Sequence, residues 1–179
     1  MRIEHDGFGD LELSDDVYYG SVAERHRVCF PVGPFDLDDY PEYVQAVALI
    51  KIACARANAE IGALDAVKAR YIEAAGREVA DGKFSGNFCI NIFRGSGTPL
   101  NAAVNEVIAH RANELMTGDK TLGGIHPNTH VNMGQSSNDV IPSAKDIVIY
   151  WELERLIGAA GRFASALEKR ATETRDVLK

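Results

Sequence analysis

Four consecutive polar side chains stand immediately before a long apolar-periodic stretch of the sequence. The segment reads HVNMGQSSNDVIPSA from position 130, and the four residues are Ser136, Ser137, Asn138 and Asp139. Ser136 and Asp139 have the S-x-x-D spacing of a capping box, which satisfies the first N–H groups of a helix. A helix start has only about four free N–H groups, so Ser137 and Asn138 exceed what capping needs. Such groups at the positive end of a helix dipole suit a bound carboxylate or other anion.

A similar junction lies earlier, in the segment RGSGTPLN that begins at position 94. Glycines around Ser96 let the backbone approach a ligand, and Thr98 and Asn101 supply further hydrogen-bonding groups near a predicted helix start. The lysine and the spacing of a nucleotide-binding P-loop are missing, which argues against a nucleotide. Alone, this pattern is also typical of an ordinary turn.

Two histidines lie between these junctions, in the segment IHPNTHVN. His126 and His130 are four residues apart and would bind zinc together only on a helix, whereas Pro127 and Asn128 favour a loop. The sequence has no third ligand, either a cysteine or a carboxylate, at a matching spacing from these histidines. We therefore expect hydrogen-bonding loop residues and no metal site.

Apolar spacing predicts the elements that position these groups. Residues 1–40 are predicted to be irregular, with at most short strands and no sheet. Helices are predicted from Pro41 to near Gly62, from about Ala66 to Asp81 and from about Pro99 to Gly118. The apolar face of the first of these helices is predicted to hold Tyr43, Val47, Ile50, Cys54, Ala57 and Ile61.

The final helix carries an apolar stripe from Ile149 to Leu178 with a seven-residue repeat. A lone helix cannot bury such a stripe, so it requires partner helices. The sequence stops at Lys179 without a cap, which favours the beginning of a larger bundle protein or a subunit completed by assembly.

Composition excludes several classes of partner. The chain has 179 residues, 46% of them hydrophobic, and a net charge of −7. It has no basic stripe to neutralise phosphates, so we expect no nucleic-acid partner. It also has no run near the roughly 18 apolar residues that span a bilayer, so we expect no membrane partner. The charged N-terminus is unlike a signal peptide. Three cysteines in apolar surroundings are predicted to be reduced and buried, in keeping with the cytoplasm.

In this order, the motifs resemble those of the fumarase/aspartase superfamily. GSGTPLNAAVNEVIAHRANEL is similar to the block G-[SA]-G-T followed by N-x-N-x-N-E-V-[IL]-A-N-R-A, and HPNTHVNMGQSSND is similar to H-P-N-[DS]-[HD]-V-N-x-x-Q-S-[ST]-N-D. RIEHDGFG is similar to the leader R-x-E-x-D-x-x-G. The resemblance runs from Arg2 to Lys179.

The resemblance implies a mainly α fold, in which an irregular and helical N-terminal domain leads into the first long helix of a central bundle. We expect the domain boundary between residues 1–138 and 139–179. Family members are longer homotetramers that share active sites between subunits, so this chain corresponds to the N-terminal portion. The catalytic serine of the family would lie beyond Lys179, and the chain alone should not turn over.

The resemblance also implies a reaction without a cofactor, the anti elimination of an amino or hydroxyl group from a small dicarboxylate to give fumarate. Donors aimed at the charge that builds in the transition state are suited to this chemistry. Substrate-binding positions carry over to Ser96, Thr98, Ser136, Ser137 and Asn138. The outer anion site described in fumarases carries over to His126 and Asn128.

Some residues depart from the family pattern. Pro99 and Leu100 replace a polar pair, Ala103 replaces the middle Asn of N-x-N-x-N, and Thr129 replaces the Asp typical of fumarases. The segments VYYG and HVNM favour aspartate ammonia-lyase, whereas Ser96 and Ser137 favour fumarate hydratase. We favour the first, and a truncated bundle subunit without catalysis is a third alternative.

Overall fold

A computed structural model describes residues 1–31, 33–93, 97–121 and 123–178. The fold is mainly helical, as predicted. The chain divides into two compact units, Met1–Lys145 and Asp146–Lys179. The boundary that we expect between residues 138 and 139 stays a prediction.

The N-terminal segment is more regular than the sequence indicates. Strands β1 (Arg2–Asp6) and β2 (Gly9–Leu13) form an antiparallel two-stranded sheet, followed by helix α1 (Ser21–Cys29). The prediction of a segment without a sheet was therefore wrong. Each strand has only five residues, and RIEHD has a single apolar residue, so no apolar alternation marks the pair as a sheet. Gly9 turns the chain into β2 at φ +107°.

Two of the predicted helices form the centre of the first unit. Helix α2 (Pro41–Glu60) follows a short 3-10 turn at Leu37–Asp39 and packs on helix α3 (Ala66–Ala80). The helices approach so closely that a Cβ on Gly76 would lie 2.8 Å from Ile52 Cγ1. The bounds of both helices confirm the ranges predicted from sequence.

The buried face of α2 differs from the predicted one. Ile61 is 77% exposed, whereas Lys51 is fully buried. The helix is rich in alanine on several sides, so apolar spacing alone does not select the face that α3 covers. The buried residues of α2 are Val44, Ala46, Val47, Ala48, Lys51, Ile52 and Ala55.

Helix α4 (Thr98–Thr117) is the most buried element, and helix α5 (Ser137–Glu173) is the longest. Their starts agree with the sequence-based prediction. Between them, Pro127–Val131 forms a π-helical turn where we predicted a loop. The prediction failed because His126 caps this turn with its ring and so stabilises helical backbone next to a proline.

The N-terminal segment is held to α4 by a buried carboxylate. Glu106 accepts hydrogen bonds from the N–H groups of Gly20, Val22 and Ala23 at 2.9–3.1 Å. These are free N–H groups at the start of α1, whose N-cap Gly20 has no side chain to serve them. Burial raises the pKa of Glu106, and the three N–H donors oppose that rise.

A second buried group joins β1 to α4. His110 is fully buried, and its Nε2 lies 2.7 Å from Glu4 Oε1 while its Nδ1 lies 2.8 Å from the Glu106 carbonyl oxygen. Arg2 donates to Glu4 and to three backbone carbonyl oxygens that follow β2. Together these contacts fix the two-stranded sheet on α4.

In the second unit, large apolar side chains of the predicted stripe are exposed, among them Ile149, Leu153, Leu156, Phe163 and Leu167. None of the helices formed by the described residues is both long and apolar enough to cross a membrane. The three cysteines are free, but Cys29 is exposed and Cys54 and Cys89 are half-buried. The prediction that the cysteines are buried was therefore wrong. Residues that neighbour a cysteine in sequence point in other directions from a helix or loop, so their apolar character does not show that the cysteine is buried.

Candidate functional site

The starts of α4 and α5 lie against each other because of one glycine. Gly97, the N-cap of α4, has a φ of +83°, a conformation that residues with a side chain rarely adopt. A Cβ at this position would lie 2.9 Å from Ile141 Cγ2 in the first turns of α5. Both the backbone angle and the close approach therefore require glycine.

Thr98 and Ser137, which are 39 residues apart in sequence, meet at this contact. The Thr98 Oγ1 and Ser137 Oγ atoms lie 3.1 Å apart and share a hydrogen bond. Thr98 is exposed and Ser137 is half-buried. Each hydroxyl uses one of its hydrogen-bonding sites for the other hydroxyl, so each can form a further hydrogen bond to a ligand. Ser96, the remaining predicted residue of the first junction, lies outside the described residues.

Ser136 and Asn138 extend the same junction. The Ser136 Oγ accepts a hydrogen bond from the Asn138 N–H at 3.1 Å. The cap bond therefore falls one residue earlier than in a capping box with Asp139. Both side chains are exposed at the start of α5. The exposed Asn138 side chain carries an amide donor and an amide acceptor at the same helix start.

A buried lysine lies behind the junction. Lys51 of α2 donates from Nζ to Asn132 Oδ1 at 2.8 Å and to Gln135 Oε1 at 2.9 Å. Asn132 Oδ1 also accepts from Asn101 Nδ2 of α4 at 3.1 Å. Burial lowers the pKa of Lys51 to about 7. This cluster connects α2, α4 and the residue that precedes Ser136, and the sequence-based prediction missed it.

The histidines of the π-helical turn act first on the turn itself. His126 Nδ1 accepts from the N–H groups of Asn128 and Thr129 at 3.2 Å each, and His130 Nδ1 accepts from the His126 N–H at 2.8 Å. His130 Nε2 lies 3.1 Å from Lys68 Nζ. Burial and the Lys68 cation lower the pKa of His130. His126 and Asn128, the predicted outer-site residues, are both exposed at this turn.

This arrangement can hold an anion. Two helices begin at the junction, so two dipoles place their positive ends there, and hydroxyl and amide groups are available beside them. Over the described ranges, no three His, Cys, Asp or Glu side chains are grouped to hold a metal ion. The hydroxyl and amide groups described at the junction are neutral donors, which suit a carboxylate whose charge grows during a reaction.

Comparison with known proteins gives the family. A family model described as lyase matches residues 9–179. The chain is 41% identical, over 99% of its length, to the fumarate hydratase class II 2 of Bradyrhizobium diazoefficiens. It is 38% identical, over 100% of its length, to the aspartate ammonia-lyase of a Bacillus species. The chain belongs to the fumarase/aspartase superfamily.

Solved structures of this superfamily have the same fold. The native fumarate lyase:delta crystallin of Brucella melitensis is 34% identical, with a TM-score of 0.92 over 97% of this chain. The class II fumarase of Schistosoma mansoni is also 34% identical, with a TM-score of 0.75 over 82% of this chain. The chain spans 38% of the length of each of the two relatives named above.

Proposed function

We propose that the full-length protein carrying this chain eliminates ammonia from L-aspartate to give fumarate. The contact between Thr98 Oγ1 and Ser137 Oγ at two helix starts supports the proposal most directly. It offers paired hydroxyl groups and two positive dipole ends to one carboxylate of a small dicarboxylate. We also propose a cytoplasmic homotetramer, in line with the family resemblance.

In this proposal, a base outside the described residues removes a proton from the carbon beside one carboxylate. The electron pair of that C–H bond first moves into the carboxylate, which becomes a doubly negative aci-carboxylate. The same electron pair then forms the carbon–carbon double bond, while the C–N bond breaks and its electrons leave with ammonia. Donors that strengthen as this charge grows lower the barrier. We assign that role to Thr98 and Ser137, with Ser96, Ser136 and Asn138 binding the same substrate.

Fumarate hydratase is the second candidate. The serine at position 137 and the 41% identity to a fumarate hydratase favour it. The chemistry is the same except that water leaves in place of ammonia, so the same donors serve both. His126 and Asn128 are proposed in either case to form an outer anion site.

The direct test incubates the full-length protein separately with L-aspartate and L-malate while fumarate absorbance is followed. We expect fumarate from L-aspartate and at most a trace from L-malate. Fumarate from L-malate alone would replace the first proposal with fumarate hydratase. Fumarate from neither would leave the third alternative, a bundle subunit without catalysis.

Thr98→Ala in the full-length protein should lower kcat/KM by roughly ten-fold or more, because a donor to the developing oxyanion is lost. The matched control is Thr121→Ala, since the Thr121 hydroxyl is exposed and, among the described residues, bonds to Asp119 alone. We expect wild-type rates for the control. Wild-type rates for Thr98→Ala would contradict the proposed role of the junction.

A further inference from the structure

We propose that Lys51 is a positioning residue that sets the orientation of the Asn101 amide, so that Asn101 Oδ1 accepts a hydrogen bond from the α-substituent of the substrate. The inference rests on the proposed function, because it assumes that the junction binds a dicarboxylate. It names Asn101 Oδ1 as the atom that distinguishes a dicarboxylate with an α-substituent from one without. Lys51 acts through Asn132 and does not itself touch the substrate.

The first step is the burial of Lys51. Its side chain is fully buried, and its Nζ donates hydrogen bonds to the amide oxygens of Asn132 and Gln135. In its ammonium form, which prevails below the lowered pKa of about 7, the Lys51 side chain has only donors. Both amides must therefore turn their oxygens, not their nitrogens, towards Nζ, and the ambiguity of an amide flip is removed at both residues.

The second step passes from Asn132 to Asn101. Asn132 Oδ1, held towards Lys51, also accepts from Asn101 Nδ2 at 3.1 Å. Its own Nδ2 is used by the Gln135 carbonyl oxygen at 3.1 Å. A flip of Asn101 would bring two amide oxygens together. The Asn101 nitrogen is therefore fixed towards Asn132, and its oxygen is fixed on the other side of the amide.

The third step concerns that oxygen. Asn101 is 5% exposed, and its Oδ1 has no hydrogen-bond partner within the part of the chain that the structure describes. A buried acceptor without a donor costs stability. Asn101 lies three residues after Thr98 on α4, which places both on one side of the helix. This spacing puts the residue with the unpaired acceptor one turn from Thr98, on the side of α4 that carries the junction.

The chemistry of the missing donor follows from the proposed substrates. A carboxylate has no hydrogen to donate, so it cannot satisfy Asn101 Oδ1. The α-ammonium of L-aspartate and the α-hydroxyl of L-malate both can. Succinate carries the same two carboxylates without an α-donor. Asn101 Oδ1 should therefore contribute to binding of the first two compounds and not to binding of succinate.

The test measures calorimetric binding of L-aspartate, L-malate and succinate to the full-length protein and to its Lys51→Met variant, at a pH below the Lys51 pKa of about 7, where the side chain is an ammonium. Methionine retains a long unbranched side chain, so the cavity stays filled, but the two hydrogen bonds are lost. Wild-type protein should bind L-aspartate or L-malate. For that compound, we expect the Kd of the Lys51→Met variant to be higher on the order of ten-fold, which corresponds to the loss of one hydrogen bond. The Kd of succinate should stay within about two-fold. The control Lys83→Met removes an exposed lysine paired with Glu78 and should change neither.

Asn101→Leu separates positioning from general packing. It should show the same selective loss, and the double variant Lys51→Met/Asn101→Leu should be no weaker than either single variant, because both act on one hydrogen bond. Equal weakening of succinate, additive losses or an unchanged Kd would each overturn the inference. In those cases fumarate production by wild-type protein would still support the proposed function. If wild-type protein bound none of the three compounds, both proposals would fail.

Discussion

Glu106→Ala is expected to speed hydrogen exchange of the backbone amides of Gly20, Val22 and Ala23 on the order of 100-fold, as the local opening free energy falls by about 3 kcal/mol. The carboxylate accepts from all three N–H groups; its bonds from Gly20 and Ala23 are buried, and its bond from Val22 is partly buried. Removing it leaves each donor without a partner, and an unpaired buried donor costs about 1–3 kcal/mol. Helix α1 should therefore open locally while α2 and α3 stay protected. Exchange followed by mass spectrometry on the full-length protein measures this directly.

Two variants serve as controls for this effect. Glu106→Gln keeps one oxygen acceptor in nearly the same volume, so its exchange rates should fall between those of wild type and Glu106→Ala. Glu73→Ala removes a carboxylate whose partners in the described part of the chain are the exposed side chains of Arg56 and Arg77. Its α1 exchange should match wild type. Uniform acceleration over α2, α3 and α4 in Glu106→Ala would show a global loss of stability and contradict a local cap.

The same contact explains why α1 was not predicted from sequence. Its N-cap Gly20 has no side chain to cap the helix, and the groups that satisfy its first N–H donors belong to a residue 86 positions later. Helices α2 and α4, in contrast, begin with a proline in the first turn, and α4 ends at Gly118 in the left-handed conformation. Those signals are local, so the sequence reveals them. A helix start stabilised by tertiary contact leaves no such pattern.

The candidate site divides in the same way. Small polar residues next to predicted helix starts, together with the family resemblance, selected Thr98, Ser136, Ser137 and Asn138 as candidates from sequence. The cluster of Lys51 and Asn132 was missed, because its formation depends on which face of α2 is buried. Lys51 stands within the apolar stretch ALIKIACA, where a long cationic side chain is normally assigned to the surface. Its position as a buried donor becomes visible only when α2 is packed against the turn that contains Asn132.

Burial of Lys51 should make the stability of the full-length protein depend on pH. Its pKa is lowered from 10.5 to about 7 by desolvation. Below pH 7 the folded and unfolded states both carry the proton, and the cost of burying the charge is present in full. Between about pH 7 and 10.5 the unfolded state still binds a proton that the folded state has released, so stability rises with pH. Relative to Lys51→Met, the gain should approach about 1.4 kcal/mol for each pH unit above the folded pKa.

The measurement compares native-state hydrogen exchange in α2 between wild type and Lys51→Met at each pH from 7 to 8.5, so that intrinsic exchange rates cancel. Cys54 on the same helix faces Lys51, and burial raises the pKa of its thiol; the upper limit keeps this thiol protonated in both proteins. The other neighbours of Nζ, Asn132 and Gln135, do not titrate. Lys83→Met is again the control and should run parallel to wild type. A difference between wild type and Lys51→Met that stayed constant over this interval would mean that Lys51 keeps its proton in the folded state, with the amide oxygens compensating for its burial.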